Sequence, residues 1–439
     1  MLFLENLLSG TLPFSFLTLC GIYISFKTNF CQITRFGESL KLTFKAFFKK
    51  EKTEEITSVK SACTALSATV GTGNIAGVAG AIAIGGAGAI FWMWVSAVLG
   101  MCIKSAEITL AVIYREKTKD GLTGGPIYYI KNGLGAKFKP LSFLFCISSL
   151  PAVFCSGNIT QANSAIVSLC TTPTSKLIWG ILFTVGCYFT INGSLNKIAN
   201  LTEKLVPFMS LLYITICLFV VLSNFSYLPT AVTMIFKGAF SPKAVTGGAV
   251  GSIWSTIFIG ASRGVFSNEA GLGTSAMAHS VAVDADPKAQ GLYGIFEVFM
   301  DTILLCTLTG LTILCSGVKI NYGTSASTEL VGNALHIQMG NFGSICLSIM
   351  MCLFAFSSIV GWALYGKIII KYIFGDLGIK IFTFIYPFCC ILGAVFNSNI
   401  VWRLAALCNG IMLCTNLTAV LLLTQKFKPY LKKEKKIEN

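Results

Sequence analysis

The sequence predicts an all-α integral membrane protein with eleven spanning helices, and three observations carry this. Of 439 residues 54% are hydrophobic and only 12% charged, with a mean hydropathy of +0.75, a composition foreign to soluble domains. Charge-free runs cover residues 6–26, 61–103, 140–175, 177–196, 205–236, 330–366, 381–402 and 404–425, and about 20 apolar residues cross a bilayer. Two glycine-rich stretches, one in each half of the chain, divide the helices after the first into two sets of five.

In chain order, residues 1–26 form an extra N-terminal helix. It has neither a basic start nor a small-residue cleavage site, so it is expected to stay in the mature protein. Residues 27–60 mix basic side chains with Phe36, Leu40, Phe44, Phe47 and Phe48, the pattern of an amphipathic linker lying on the membrane surface, with partner binding as the alternative. The 43-residue run 61–103 is too long for one helix and is divided at Gly85, Gly86 and Gly88. With the next three runs it makes a first five-helix repeat over residues 61–240. Spans interrupted by single charges, around residues 244–277 and 291–318, begin a second repeat over residues 241–425, and residues 426–439 are a basic tail.

The net charge of +15 is topological. With the N-terminus outside, the inner loops and tail carry 26 Lys and Arg against five in the outer loops, which places the C-terminus in the cytoplasm. No nucleic-acid footprint follows from it. The 17 cysteines lie mostly in apolar helices, where a free thiol behaves as a small hydrophobe, and no structural disulfide is expected.

The stretch TVGTGNIAG, residues 69–77, contains a G-x-G-x-x-A pattern, but a dinucleotide loop requires a preceding strand and an acidic residue about 20 positions on. Residues 61–103 hold no charge at all, and the next carboxylate is Glu107. A helix entering from the cytoplasm at Ser61 reaches the bilayer midplane after about ten residues, at Gly71. Gly71, Gly73 and Gly77, with Thr72 and Asn74, predict a local break there. Unpaired backbone at that depth is tolerated only around a cavity or inside protein; a GxxxG packing face on Gly73 and Gly77 is the alternative. The seventh helix enters from outside near Gly247 and reaches Ile257 at the midplane. There the chain reads FIGASRGVFSNEAGLGTSAMAHS. Either Gly260 and Gly264 or Gly271 and Gly273 break it, and depth favours the first pair. Two broken helices, five apart and entering from opposite sides, mark an inverted repeat with a binding site where they meet.

The segments SATVGTGNIAGVAGAIAIGGAGAIFWMWVSAVLGM, GGPIYYI, ASRGVFSNEAGLGTSAMAHS and LFAFSSIVGWALYGK together resemble the alanine or glycine:cation symporter family of prokaryotes, over about residues 36–375. The resemblance implies a leucine-transporter-like five-plus-five fold in the cytoplasmic membrane. It also implies sodium-coupled uptake of small neutral amino acids such as alanine and glycine.

A zwitterionic substrate needs donors for its carboxylate, acceptors for its ammonium and a wall for its side chain. The half-helix N-terminus at Gly71, Thr72, Gly73 and Asn74 offers free N–H groups and the positive end of a dipole, and the resemblance adds contact through the Asn74 amide. Carbonyls near Ile259 and Gly260 are candidates for the ammonium. Gln161 counts as well outward of the midplane, which argues for an interhelical hydrogen bond, whereas the family's matching glutamine implies substrate contact. Trp362 is ordinary packing by residue type and a substrate wall by resemblance. For sodium, the hydroxyls of Ser357 and Ser358 with carbonyls of Val70 and Gly73 could form a neutral oxygen cage; serines bonding back to their own helix are the alternative. The family commonly has threonine where Ser358 stands.

Lys104 with Glu107, Glu297 with Asp301, and Arg263 with Glu269 are intramembrane charges and hence functional candidates. A proton-coupled carrier would need Asp, Glu or His in the cavity. The second and ninth helices supply none, but Glu269 or Asp301 enters if the seventh helix breaks late. An enzyme finds only His279 and His336 and no H-E-x-x-H, and a channel predicts a ring-like filter in an oligomer.

Overall fold

The computed structural model describes residues 12–48, 53, 55–119, 121–248, 250, 252–324, 327–396 and 398–432. The start of the expected N-terminal helix, part of the linker (49–52 and 54) and the last seven residues of the tail lie outside the described residues.

The first helix, α1 (Leu12–Lys27), is followed by α2 (Phe36–Phe48) in the linker. One aromatic edge of α2 meets the inner part of the molecule, with Phe36 5.0 Å from Phe299 and Phe44 6.2 Å from Phe296 between ring centroids. The second span is two pieces. Helix α3 (Ser58–Thr69) starts where the Thr57 hydroxyl accepts from the Lys60 N–H, an N-cap in extended backbone. It ends at Val70, and after a widened turn over Gly73–Gly77 the chain continues as α4 (Val78–Gly85), bent by 49° from α3.

Helix α5 (Ala89–Ile113) is buried along most of its length. A two-stranded hairpin, β1 (Glu116–Thr118) and β2 (Gly121–Thr123), leads to α6 (Pro126–Leu134), with Glu116 opposite Thr123. The fourth span comprises α7 (Lys139–Phe154) and α8 (Thr160–Leu169), joined by a widened turn over Cys155–Ile159. Then come α9 (Pro173–Ile191), α10 (Leu195–Ser223) and α11 (Leu228–Phe240).

The second half opens with α12 (Ile253–Asn268) and α13 (Thr274–Ser280), again two pieces of one path. Helices α14 (Pro287–Val298) and α15 (Thr307–Cys315) flank the widened stretch Phe299–Cys306, and α16 (Thr328–Met339) follows. Helix α17 (Asn341–Val395) is divided at Gly375 (φ 64°, ψ −154°), and α18 (Ser398–Leu422) and α19 (Thr424–Leu431) end the chain.

By length and composition, seven helices among the described residues are suited to cross a membrane, eight with the bent pair, against the eleven expected. The shortfall has visible reasons. The path through α12 and α13 is cut into 16- and 7-residue pieces, α17 counts once although Gly375 divides it, and α1 begins at the edge of the described residues.

The broken helices lie at the centre. Alanine and glycine make this possible, since small residues let backbones approach where lipid provides no hydrophobic drive between helices. Helix α5 packs on α12 and α14, and α17 on α8 and α9. Large apolar side chains such as Leu182, Phe189, Leu211, Leu222 and Phe384 point outward, as lipid-facing surface requires.

Candidate functional site

After Thr69 the chain leaves helical geometry at Val70 (φ −75°, ψ 97°). The freed donors are met by side-chain amides. The Gly71 N–H donates to Asn74 Oδ1 at 2.9 Å, and both the N–H and the hydroxyl of Thr72 donate to Gln161 Oε1, at 3.1 and 2.9 Å. Gln161 in turn donates to the Ser156 carbonyl. Gly71 permits this closeness, because a β-carbon there would fall 2.5 Å from Ser358 Oγ and 2.9 Å from Gln161 Oε1. Among the described residues Gly77 has nothing within 4 Å of its β-carbon position, and at Gly73 the nearest atoms, of Phe266 and Ser267, stand at 3.7 Å and beyond. The two glycines therefore do not form a close GxxxG packing face.

Gln161 thus reaches the break despite its position along the chain. The helical stretch Ala136–Leu169 has 34 residues, more than a bilayer needs, so distance along it is not depth. Ser358 Oγ lies 3.4 Å from the Val70 carbonyl, on the face of α17 turned to the break. The Ser357 hydroxyl donates to Phe354 on its own helix at 3.0 Å. Trp362 is buried against Gly157, where a β-carbon would come within 2.5 Å of the indole, and its Nε1 donates to Glu269 Oε1 at 2.9 Å.

Ile259 and Gly260 are placed differently from expectation. Helix α12 runs unbroken through both, so their carbonyls are engaged within the helix. Gly260 and Gly264 serve close packing: a β-carbon at Gly260 would sit 2.3 Å from the Ala89 carbonyl, and one at Gly264 2.3 Å from Ser96 Oγ. The break is at residues 269–273, where Glu269 (φ 56°), Gly271 (φ 89°) and Gly273 (φ 73°) adopt positive φ. Only the second glycine pair has backbone that an L-residue would strain.

This later break brings in groups that sequence depth had left outside. Thr69, Gly71, Gly73, Gln161, Glu269 and Trp362 line one cavity of about 10 Å³, room for about a single water. Ala68, Ser156, Phe266, Ser267 and Asn409 complete its wall; an isolated Asn in an apolar run is the one sequence cue to Asn409. Asp301 lies just behind the first break. Asn74 Nδ2 donates to its Oδ1 at 2.7 Å, and the hydroxyls of Ser267 and Thr302 donate to its Oδ2 at 2.8 and 2.7 Å.

Beneath the second break, Lys104 Nζ bonds the Asn268 carbonyl at 2.8 Å and pairs with Glu297 at 3.3 Å, and Glu297 is also bonded by His279. Asn416 links Glu107, Tyr129 and the Gly271 carbonyl. A larger cavity of about 990 Å³ lies elsewhere, between α2, α10 and α14. It has none of the amides and hydroxyls gathered at the breaks, and we place the site at the breaks.

Broken helices closing on a small polar cavity in a lipid-facing bundle are the architecture of membrane transporters with the leucine-transporter fold. The crystal structure of MhsT in complex with L-phenylalanine superposes with a TM-score of 0.59 at 15% identity, over 84% of this chain and 89% of that one. The chain belongs to the sodium:alanine symporter family, whose model matches residues 2–438. Its relatives include an uncharacterised transporter of Haemophilus influenzae, 37% identical over 94% of this chain and 89% of that protein. Another is the sodium/alanine symporter AgcS of Methanococcus maripaludis, 35% identical over 92% of this chain and 90% of that protein. Family and fold are those of transporters and not of enzymes.

Proposed function

We propose that this protein is a sodium-coupled symporter that imports small neutral amino acids, alanine and glycine, by alternating access. In this reading eleven spans cross the cytoplasmic membrane with the N-terminus outside and the C-terminus inside. Residues 61–240 and 241–425 are the two inverted halves. The observation that carries it is the closure of the first break by neutral amides in the cavity that Trp362 walls. The oxygens of Asn74 and Gln161 sit on N–H groups that a substrate carboxylate can take over, so donors at Gly71, Thr72 and Gly73 suit an anion. The cavity is closed by Trp362 against Gly157, which favours a side chain no larger than a methyl. For the ion, the carbonyls of Val70 and Gly73 and the hydroxyls of Ser357 and Ser358 supply neutral oxygen to a hard cation. The name of one relative, the sodium/alanine symporter AgcS, supports alanine as substrate and sodium as coupling ion.

Proton coupling is a second reading, favoured by one observation: the carboxylate of Glu269 lines the cavity and that of Asp301 bonds Asn74. Uptake of labelled alanine into proteoliposomes separates the two. A sodium gradient should drive accumulation and a pH gradient in sodium-free buffer should not. Full uptake on the pH gradient alone would transfer the coupling to one of those carboxylates.

A further inference from the structure

An amino acid entering this cavity brings two charges, and the first break answers only one. The ammonium needs an acceptor, and the carbonyls of Ile259 and Gly260 are held inside an unbroken helix. Glu269 is different. It is the residue on which α12 ends, it is 5% exposed, and among the described residues it is the one charged residue lining the cavity.

Its carboxylate receives two neutral donors, Trp362 Nε1 at 2.9 Å and Thr274 Oγ1 at 2.7 Å, which leaves about half of its acceptor positions free. Among the described residues no Lys, Arg or His lies in ion-pair range of it. Lys104, the base on the neighbouring helix, acts on Glu269 through space only, from beyond ion-pair range, since its ammonium is committed to Asn268, Thr69 and Glu297. An ionised carboxylate in a low-dielectric cavity without a counter-ion is costly.

We infer that the Glu269 carboxylate takes the substrate's ammonium, so that the counter-ion missing from the cavity arrives with the substrate. The ligand class is then a small molecule carrying both a carboxylate and a protonated amine, and a hydroxy acid of the same shape is rejected. This rests on the amino-acid symport reading. Glu269 acts in two ways at once: it holds the wall residue Trp362 by the indole N–H and offers its remaining lone pairs to the cavity. Sodium has its own neutral cage at Val70, Ser357 and Ser358 and does not need this carboxylate.

The test uses the full-length protein in proteoliposomes with labelled alanine, varying alanine and sodium separately, with L-lactate as the amine-free competitor. Glu269→Gln keeps an oxygen for Trp362 and removes the charge. It should raise the alanine half-saturation about 30-fold or more while the sodium half-saturation at saturating alanine moves less than threefold. Lactate should fail to compete in the wild type. An unchanged alanine half-saturation, or a rise confined to sodium, overturns the inference. If the glutamine variant does not insert as a monodisperse protein, Glu269→Asp carries the test: a raised alanine half-saturation with unmoved sodium supports the inference, and parallel rises overturn it. Wild-type vesicles that carry no small neutral amino acid on a sodium gradient would sink the symport reading, and this inference with it. Wild-type uptake with an unaffected glutamine variant would sink this inference alone.

Discussion

The two breaks are built from opposite materials. At residues 70–72 the freed backbone is met by neutral amides, Asn74 and Gln161, and the carboxylate of Asp301 stands one side chain away behind Asn74. At residues 269–273 the chain turns on a glutamate, with Lys104 on the preceding carbonyl and Glu297 and His279 beneath. A neutral break can change partners as ligands come and go, because amide and hydroxyl hydrogen bonds exchange at small net cost. The charged break rests on Lys104, which bonds the Asn268 carbonyl and pairs with Glu297, a contact that has no substitute in lipid.

If that contrast is right, the largest effect on stability comes from the charged side. Lys104→Met leaves Glu297 buried without its lysine and uncaps the Asn268 carbonyl, and should cost about 3 to 5 kcal/mol, read as a marked fall in melting temperature in detergent. A fall no greater than that of Gln161→Ala would erase the distinction between the breaks.

Next in size are glycine substitutions at the neutral break. Gly71→Ala puts a methyl onto Ser358 and Gln161, and overpacking of about 1 to 3 kcal/mol should strongly reduce alanine uptake. Gly77→Ala meets nothing within 4 Å and should leave uptake within about twofold of wild type, since no overpacking term applies. Equal losses in the two variants would restore a packing role for Gly77. Trp362→Ala, which opens the wall shared by both breaks, should weaken alanine by about 1 to 3 kcal/mol and let leucine compete. Unchanged competition by leucine in a folded variant would make Trp362 a packing residue.

These residues also show what could be read from the chain. The first break is legible only in combination: its three glycines, threonine and asparagine in a run without charge also fit a GxxxG packing face, and it is the second glycine-rich stretch five helices on that favours a break. The second stays open in the sequence between two glycine pairs, of which depth favours Gly260 and Gly264, whereas the positive φ values fall at Glu269, Gly271 and Gly273. Depth had been counted from Gly247, whereas α12 begins at Ile253, and two kinds of glycine look alike in sequence. Gly260 is small because Ala89 is close, and Gly271 because its φ is 89°. Neither neighbour distance nor φ is written in the residue type. Glu269 and Asp301 were visible as intramembrane charges, but their place at the cavity depended on where the helix ended.

The smallest expected effect tests the contrast from outside the bilayer, where charge should matter least. On the hairpin, Glu116 Oε1 accepts from Asn132 at 2.8 Å and Lys131 at 3.1 Å, with the two charged side chains 37% and 38% exposed. The Asn132 hydrogen bond first, and Lys131 after it, holds the Glu116 carboxyl below its ordinary value of 4.5. A depressed carboxylate contributes stability above its unfolded value and loses it as pH falls through the folded one, so the contribution is present at pH 7 and gone in acid. Water screens the pair, and its worth is no more than about 0.5 kcal/mol. Glu116→Gln should therefore shift the melting temperature slightly at pH 7 and not at all below the folded value. A shift as large as that of Lys104→Met would mean that burial is not what separates strong charges from weak ones in this protein. It would also remove the ground for treating the second break as the rigid one.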